Sequence, residues 1–124
     1  PKLPRAPGIY RFRLRGGGAD EIYVGEALNL ASRMSGYRNP NGKQPTNPRI
    51  NRRLRELLLG GGAVSVAILE QVTLDFGAGG ATADLTSQCV RRLVENLVLA
   101  DQPTGVRVLN YASGQERGAG ILSG

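Results

Sequence analysis

The sequence predicts an α+β domain in which helices pack against a small antiparallel sheet. Two extended segments near the start of the chain are joined by glycines, as in a hairpin. Two capped helical segments follow, and after them come a β-branched segment and a long apolar helical pattern. This order of elements, β-β-α-α-β-α, indicates a layered α+β domain.

The predicted hairpin is the first element pair. Residues 8–15 (GIYRFRLR) alternate apolar and basic side chains, although imperfectly, and form its first strand. Gly16–Gly18 provides a flexible turn, and residues 21–25 (EIYVG) form the returning strand.

Two helices are predicted next, each with an asparagine as its N-cap. Asn29 caps a short helix over residues 30–37. Residues 38–46 (RNPNGKQPT) are rich in turn formers and have no periodic pattern, so they form a loop. Asn47 and the proline after it start a second helix over residues 48–59.

The second half of the chain is predicted to contain a strand, a long helix and an edge strand. Residues 63–72 are β-branched and form a largely buried strand, and residues 73–80 form a connection. Residues 83–101 form a helix, and residues 106–109 a short edge strand. We expect the helix to bury a broad stripe made of Leu85, Cys89, Leu93 and Leu97 with Val90, Val94 and Val98 beside them.

Composition excludes several classes of protein. The chain has 124 residues, no histidine and one cysteine, which excludes an ordinary zinc site, acid–base chemistry based on histidine and an internal disulfide. No apolar run approaches the ~18 residues that a membrane helix needs. We expect a domain over residues 1–112, a Gly-rich tail over residues 113–124, and a reducing, cytoplasmic setting without membrane contact.

The positive charge is concentrated in the first half of the chain. The net charge is +6, yet residues 1–60 carry twelve basic and four acidic side chains, and residues 61–124 carry four basic and six acidic ones. Fourteen of the sixteen basic residues are arginine, whose planar fork matches phosphate. This pattern indicates a nucleic acid or another polyanion as partner, and a solvated basic face is the alternative.

Six polar residues stand where a phosphodiesterase could use them. Two lie in the hairpin, in Gly8-Ile9-Tyr10 and Tyr23-Val24-Gly25, and two lie one turn apart on the first helix. One lies within the long apolar helix, where a carboxylate is out of place, and one follows the last strand. In chain order they are Tyr10, Tyr23, Arg33, Tyr37, Glu95 and Asn110.

This ordered set resembles the signature of the GIY-YIG nuclease superfamily over residues 7–110. The superfamily includes homing endonucleases, certain restriction enzymes and the incision subunit of bacterial nucleotide excision repair. The resemblance implies a small three-stranded antiparallel sheet flanked by helices. It also implies metal-dependent hydrolysis of DNA phosphodiester bonds.

The resemblance assigns a role to each residue of the first half. Tyr10 is the candidate general base for the attacking water, and Tyr23 supports it. Arg33 stabilises charge on the scissile phosphate, and the Tyr37 hydroxyl contacts the same phosphate. For each of these side chains a purely structural role is the alternative, namely a packed strand tyrosine, a solvated helix arginine or a tyrosine at the core edge.

The resemblance places the metal at Glu95, which would hold one Mg²⁺ (or Mn²⁺). The alternative for Glu95 is a surface pair with Arg91 or Arg92. Asn110 would fix the backbone of the site or orient a ligand, and a turn-forming asparagine is the alternative. Glu26 follows the second triplet where many relatives carry a basic residue.

The second predicted helix and the loop before it offer candidate DNA contacts. Three arginines share one helix face, and the loop adds a lysine; the predicted contacts are Arg49, Arg52, Arg53 and Lys43. A partner or a flanking domain outside this sequence would confer target choice. A non-catalytic nucleic-acid-binding module with the same fold is the alternative function, and a structural domain of a larger protein is a weaker one.

Overall fold

The computed structural model describes residues 3–16, 18, 20–39, 46–75, 77 and 79–111. Lys43 and the predicted tail over residues 113–124 lie outside these ranges. In chain order the elements are β1 (Gly8–Arg15), β2 (Glu21–Ala27), α1 (Leu30–Arg38), α2 (Pro48–Leu59), β3 (Ala63–Leu69), β4 (Thr73–Asp75), β5 (Gly80–Thr82), α3 (Gln88–Ala100) and β6 (Arg107–Val108). The predicted α+β class is confirmed.

The main sheet has four strands in the order β3-β1-β2-β6. Strands β3, β1 and β2 form the expected antiparallel arrangement, and β6 adds a fourth strand that pairs with β2 in parallel. The expectation of a three-stranded, purely antiparallel sheet is therefore corrected to a four-stranded mixed sheet. Strand β6 follows α3 in the chain. This helix returns the chain along the sheet, so that β6 reaches the free edge of β2 and runs in the same direction as β2.

Helices cover both faces of the sheet, and β1 contributes alternate side chains to each face. On one face α1 and α2 enclose a core cluster that includes Tyr10, Phe12 and Leu14. On the other face α3 packs over a second cluster that includes Ile9 and Val24.

The predicted helix starts of α1 and α2 are confirmed by their caps. The Asn29 side chain accepts a hydrogen bond from the Ser32 N–H. The Asn47 side chain accepts from the N–H groups of Arg49 and Ile50, and Pro48 occupies the first helical position. Both caps depend on residues adjacent in sequence, which is why the sequence predicts them well.

The predicted buried strand over residues 63–72 is wrong in extent and burial. The strand ends at Leu69, and Val66 and Leu69 remain 40% and 41% exposed because β3 pairs only with β1 and lies at the edge of the sheet. The connection predicted at residues 73–80 contains β4, which pairs with β5 as a separate hairpin.

The long helix starts later than predicted, and only part of the predicted stripe is buried: the side of Val90, Val94 and Val98 faces the sheet. Ser87 caps α3, so the helix begins at Gln88 instead of residue 83. Leu93 and Leu97 are half-exposed and Cys89 is exposed, whereas Val94 is buried against the sheet. The helix has apolar residues on two faces, so periodicity alone could not identify the buried one. No helix within the described ranges is long and apolar enough to cross a membrane.

Candidate active site

The register of the hairpin brings the two tyrosine triplets side by side. Tyr10 lies opposite Gly25, and Phe12 lies opposite Tyr23. Because paired residues of a sheet point to the same face, both phenols lie on the face covered by α1 and α2. Their ring centroids are 6.3 Å apart.

The glycines of both triplets allow close approaches that no side chain permits. A Cβ atom at Gly25 would overlap the ring and hydroxyl of Tyr10. A Cβ atom at Gly8 would overlap the Leu69 carbonyl oxygen and lie 2.8 Å from the Leu30 side chain. The two glycines therefore shape the space around Tyr10, a role that depends on the strand register and was not predicted.

Tyr37 on α1 completes a buried aromatic group around Tyr10. Its hydroxyl lies 3.3 Å from the Tyr10 hydroxyl, within hydrogen-bond distance, and its ring stands edge-on to those of Tyr10 and Phe12. Tyr10 is 2% exposed. The structure thus brings Tyr10, Tyr23 and Tyr37 together, as their predicted roles require.

Burial makes ionisation of both interacting phenols still less favourable than that of an exposed tyrosine. It raises the pKa of Tyr10 to about 12, and it raises the pKa of Tyr37 as well. The hydrogen bond with Tyr37 and the positive charge of Arg33 act in the opposite direction on the pKa of Tyr10. Arg33 therefore lies where it influences the Tyr10 hydroxyl, but further positive charge is needed to ionise this phenol near neutral pH.

Asn110 holds the backbone of the second triplet. The Val24 N–H donates to Asn110 Oδ1 at 2.9 Å, and Asn110 Nδ2 donates to the Val24 carbonyl at 2.6 Å. The Leu109 N–H donates to the Ile22 carbonyl at 2.8 Å just before it. The Asn110 amide thus extends the ladder between β6 and β2, which is the backbone-fixing role considered for it.

Glu95 lies with Glu26 on the other face of the hairpin. Side chains alternate along β2, so Glu26 points toward α3, away from the face of Tyr23. Burial and the negative charge of Glu26 raise the pKa of Glu95 to about 7, and Arg92 opposes this effect. Since Glu26 pairs with Ile9, next to Tyr10, the carboxylates and the tyrosines flank the same end of the hairpin from opposite faces.

Arg91 is bound to Glu26 and not to Glu95. Its Nε lies 2.5 Å from Glu26 Oε2, and its Nη1 donates to the carbonyls of Leu85 and Thr86. Arg91 is buried on the sheet side of α3. The pair Glu26–Arg91 was missed in the sequence because the register between α3 and β2 decides it.

The predicted DNA-binding arginines of α2 have different surroundings. Arg49 donates to the Leu109 carbonyl, and Arg53 forms an ion pair with Glu21, which is 4% exposed. This pairing raises the pKa of Arg53. Arg52 is exposed. Together with Arg107 of β6, which the sequence analysis did not single out, these arginines line a cleft of about 270 Å³.

Comparison with known proteins gives partial matches of one kind. A segment of 43 residues is 49% identical to UvrABC system protein C of Neisseria gonorrhoeae, and also 49% identical to the proteins of that name from Neisseria meningitidis serogroup A and Chlorobaculum tepidum. The segment is 35% of this chain and spans only 6–7% of the length of these relatives. No protein-family profile and no solved structure matches the chain.

Proposed function

We propose that this chain is a member of the GIY-YIG nuclease superfamily and hydrolyses phosphodiester bonds of DNA with the help of one divalent metal ion. The observation that carries the proposal is the hairpin register, which puts Tyr10 opposite Gly25 and beside Tyr23 and Tyr37. The matched segment of UvrABC system protein C supports it, because the superfamily includes the incision subunit of bacterial nucleotide excision repair.

Tyr10 is the proposed general base. To accept a proton from the attacking water, Tyr10 must first lose its own, and burial opposes this loss. Arg33 lowers the cost, since its charge favours the phenolate. When DNA is bound, Arg33 also stabilises negative charge on the oxygens of the scissile phosphate. Tyr23 and Tyr37 orient the Tyr10 ring, and the Tyr37 hydroxyl contacts the Tyr10 hydroxyl.

Glu95 is the proposed ligand of Mg²⁺ or Mn²⁺. The described residues contain no group of three or more candidate metal ligands. Glu95 would therefore hold the ion together with water and an oxygen of the substrate phosphate, and the ion would supply positive charge at the phosphate and the leaving oxygen. Glu95 is partly buried and therefore incompletely hydrated. Because the pKa of Glu95 lies near neutrality, a cation would shift its carboxyl group to the ionised form.

The arginine cleft beside β6 is the proposed path of the DNA backbone. Arg52 and Arg107 are exposed in this cleft, and Arg49 lines it as well. Lys43, outside the described residues, remains a predicted contact. Phosphate contacts of this kind add affinity without reading sequence, so target choice would come from a partner or a flanking domain.

Cleavage of a supercoiled plasmid with and without a chelator tests the proposal. We expect nicking in Mg²⁺ and none in chelator. Glu95→Gln keeps the shape of the side chain but removes its negative charge, so nicking should disappear while DNA affinity in chelator holds or rises slightly. Glu70→Gln, the same change at an exposed glutamate, is the matched control and should cut normally. Full cleavage by Glu95→Gln would contradict the metal assignment.

A non-catalytic DNA-binding module is the second candidate function. It is favoured by the strongly raised pKa of Tyr10 and by the position of Glu95 on the opposite face of the hairpin from Tyr10. Absence of nicking by the wild type, with sound DNA binding, would decide for this candidate.

A further inference from the structure

A second cleft lies on the face of the sheet that carries Tyr10. It has a volume of about 580 Å³ and lies between α1, α2 and the edge strand β3. This volume falls in the range of roughly 300–1,000 Å³ that is usual for small-ligand sites. Apolar side chains line most of it, among them Met34, Leu54, Leu58, Val64 and Val66. Val66 and Leu58 are 40% and 57% exposed, so apolar surface faces outward there.

Polar and charged groups accompany these apolar walls. Arg38 and Arg55 line the cleft, and Asn51 adds an amide. Arg55 is exposed, and its positive charge beside an apolar recess suits a ligand that combines an apolar ring with negative charge nearby. A nucleotide is such a ligand, with its base and its phosphates.

The cleft adjoins the candidate active site. Tyr37 lines the cleft, and its hydroxyl contacts that of Tyr10. Phe12 also lines the cleft and stands edge-on to the Tyr37 ring at a centroid distance of 4.9 Å. Met34, the residue after Arg33 on α1, lines the cleft as well, so the phosphate position proposed at Arg33 and the cleft lie along the same helix.

We infer that the cleft between α1, α2 and β3 binds an unstacked nucleobase of a single DNA strand, next to the phosphate held at Arg33. Proteins that bind single strands combine positive charge along the backbone with side chains that contact the faces of the bases, and such contacts do not read sequence. The inference rests on the DNA-binding part of the proposed function and is independent of cleavage.

Binding of short single-stranded DNA in chelator tests the inference. The probes are an oligothymidylate and the same backbone without bases, so the difference in affinity reports the bases alone. We expect the wild type to prefer the base-containing strand. Val66→Gln should weaken binding of that strand by roughly five- to tenfold, the low end of what one base contact contributes, and leave the abasic strand unaffected.

The chain offers two matched controls at equal exposure. Leu69→Gln lies on the same strand as Val66 and on the opposite face of the sheet, and it should leave binding of both probes unchanged. Leu58→Gln should behave like Val66→Gln, whereas Leu97→Gln on the outer face of α3 should have no effect.

Four results would overturn the inference, the last of them together with the proposed function. The first is a wild type without preference for the base-containing strand; if that protein still nicks plasmid, the proposed function stands and only the base site fails. The second is an equal loss for both probes in Val66→Gln. The third is unchanged DNA binding in Val66→Gln and Leu58→Gln, which would leave the cleft to an apolar segment of a protein partner. Absence of all DNA binding would reject both proposals.

Discussion

Tyr10 is subject to opposite demands from packing and from catalysis. Its ring packs among Phe12, Tyr23 and Tyr37, and Gly25 leaves it space. This burial raises its pKa to about 12, whereas a general base must be ionised when it takes a proton. Positive charge from Arg33, together with that of the metal ion proposed at Glu95, would have to offset that burial. In the proposed mechanism, the surrounding aromatic rings fix the position of Tyr10, and the nearby positive charges make its hydroxyl reactive.

Removal of the Tyr10 hydroxyl tests this division of roles. Tyr10→Phe keeps the ring and should lower the rate of Mg²⁺-dependent nicking by roughly a hundredfold or more, as for loss of a general base. Tyr37→Phe breaks the same hydrogen bond, worth about 1 kcal/mol, so both variants should lose similar stability in urea unfolding. Tyr37→Phe should retain more activity than Tyr10→Phe. Cleavage by Tyr10→Phe at the wild-type rate would move the base to Tyr23.

Single residues could be predicted where their chemistry is distinctive and their partners are near in sequence. The caps by Asn29 and Asn47 are of this kind. The six candidate site residues come instead from the resemblance of their ordered motifs to the GIY-YIG signature, and their roles stay a prediction. The contact of Gly25 with Tyr10, the two bonds from Asn110 to Val24 and the pair of Glu26 with Arg91 depend on strand and helix register, which the sequence does not display locally. These contacts therefore had to come from the structure.

Among the elements, α3 links the candidate metal ligand to the hairpin. Arg91 and Glu95 stand one turn apart on this helix, and Arg91 binds Glu26 directly after the second triplet. The position of Glu95 relative to Gly25 is therefore fixed by a buried ion pair as well as by apolar packing of Val94. The sequence predicted the existence of α3 but not its buried face, because Leu93 and Leu97 are as apolar as the valines beside them.

A double-mutant cycle measures how strongly this ion pair stabilises the fold. Arg91→Met leaves Glu26 poorly hydrated and without its partner, so it should destabilise the protein by about 3 kcal/mol. Glu26→Gln together with Arg91→Met should recover most of that loss. The half-exposed pair of Arg13 with Asp20 is the control, and Arg13→Met should cost less than about 1 kcal/mol. Equal costs in urea unfolding for Arg91→Met and Arg13→Met would contradict the assigned role.

Across the whole molecule, positive charge serves two purposes that the sequence cannot separate. Residues 1–60 carry the excess of arginine, and the spacing of Arg49, Arg52 and Arg53 predicts that these three share one basic face of α2. In the structure Arg53 neutralises the buried Glu21 and Arg49 donates to the Leu109 carbonyl, whereas Arg52 is exposed in the same cleft. Only the arrangement of α2 against β2 and β6 distinguishes an arginine that stabilises the fold from one that can contact a phosphate.

Arg52 and Arg53 are neighbours, so paired substitutions separate the two purposes. Glu21 is 4% exposed, and in Arg53→Ala its remaining ion-pair partner among the described residues is Arg107 at 3.8 Å. Arg53→Ala should therefore destabilise the fold by about 3 kcal/mol. Arg52→Ala should leave stability unchanged. It should instead reduce the slope of log affinity against log salt for duplex DNA by about 0.9, because one fewer counterion is released. Binding should weaken alike on unrelated sequences, since a phosphate contact reads none of them. An unchanged salt slope in Arg52→Ala would remove this cleft from the DNA path, and a stable Arg53→Ala protein with a reduced slope would reverse the two assignments.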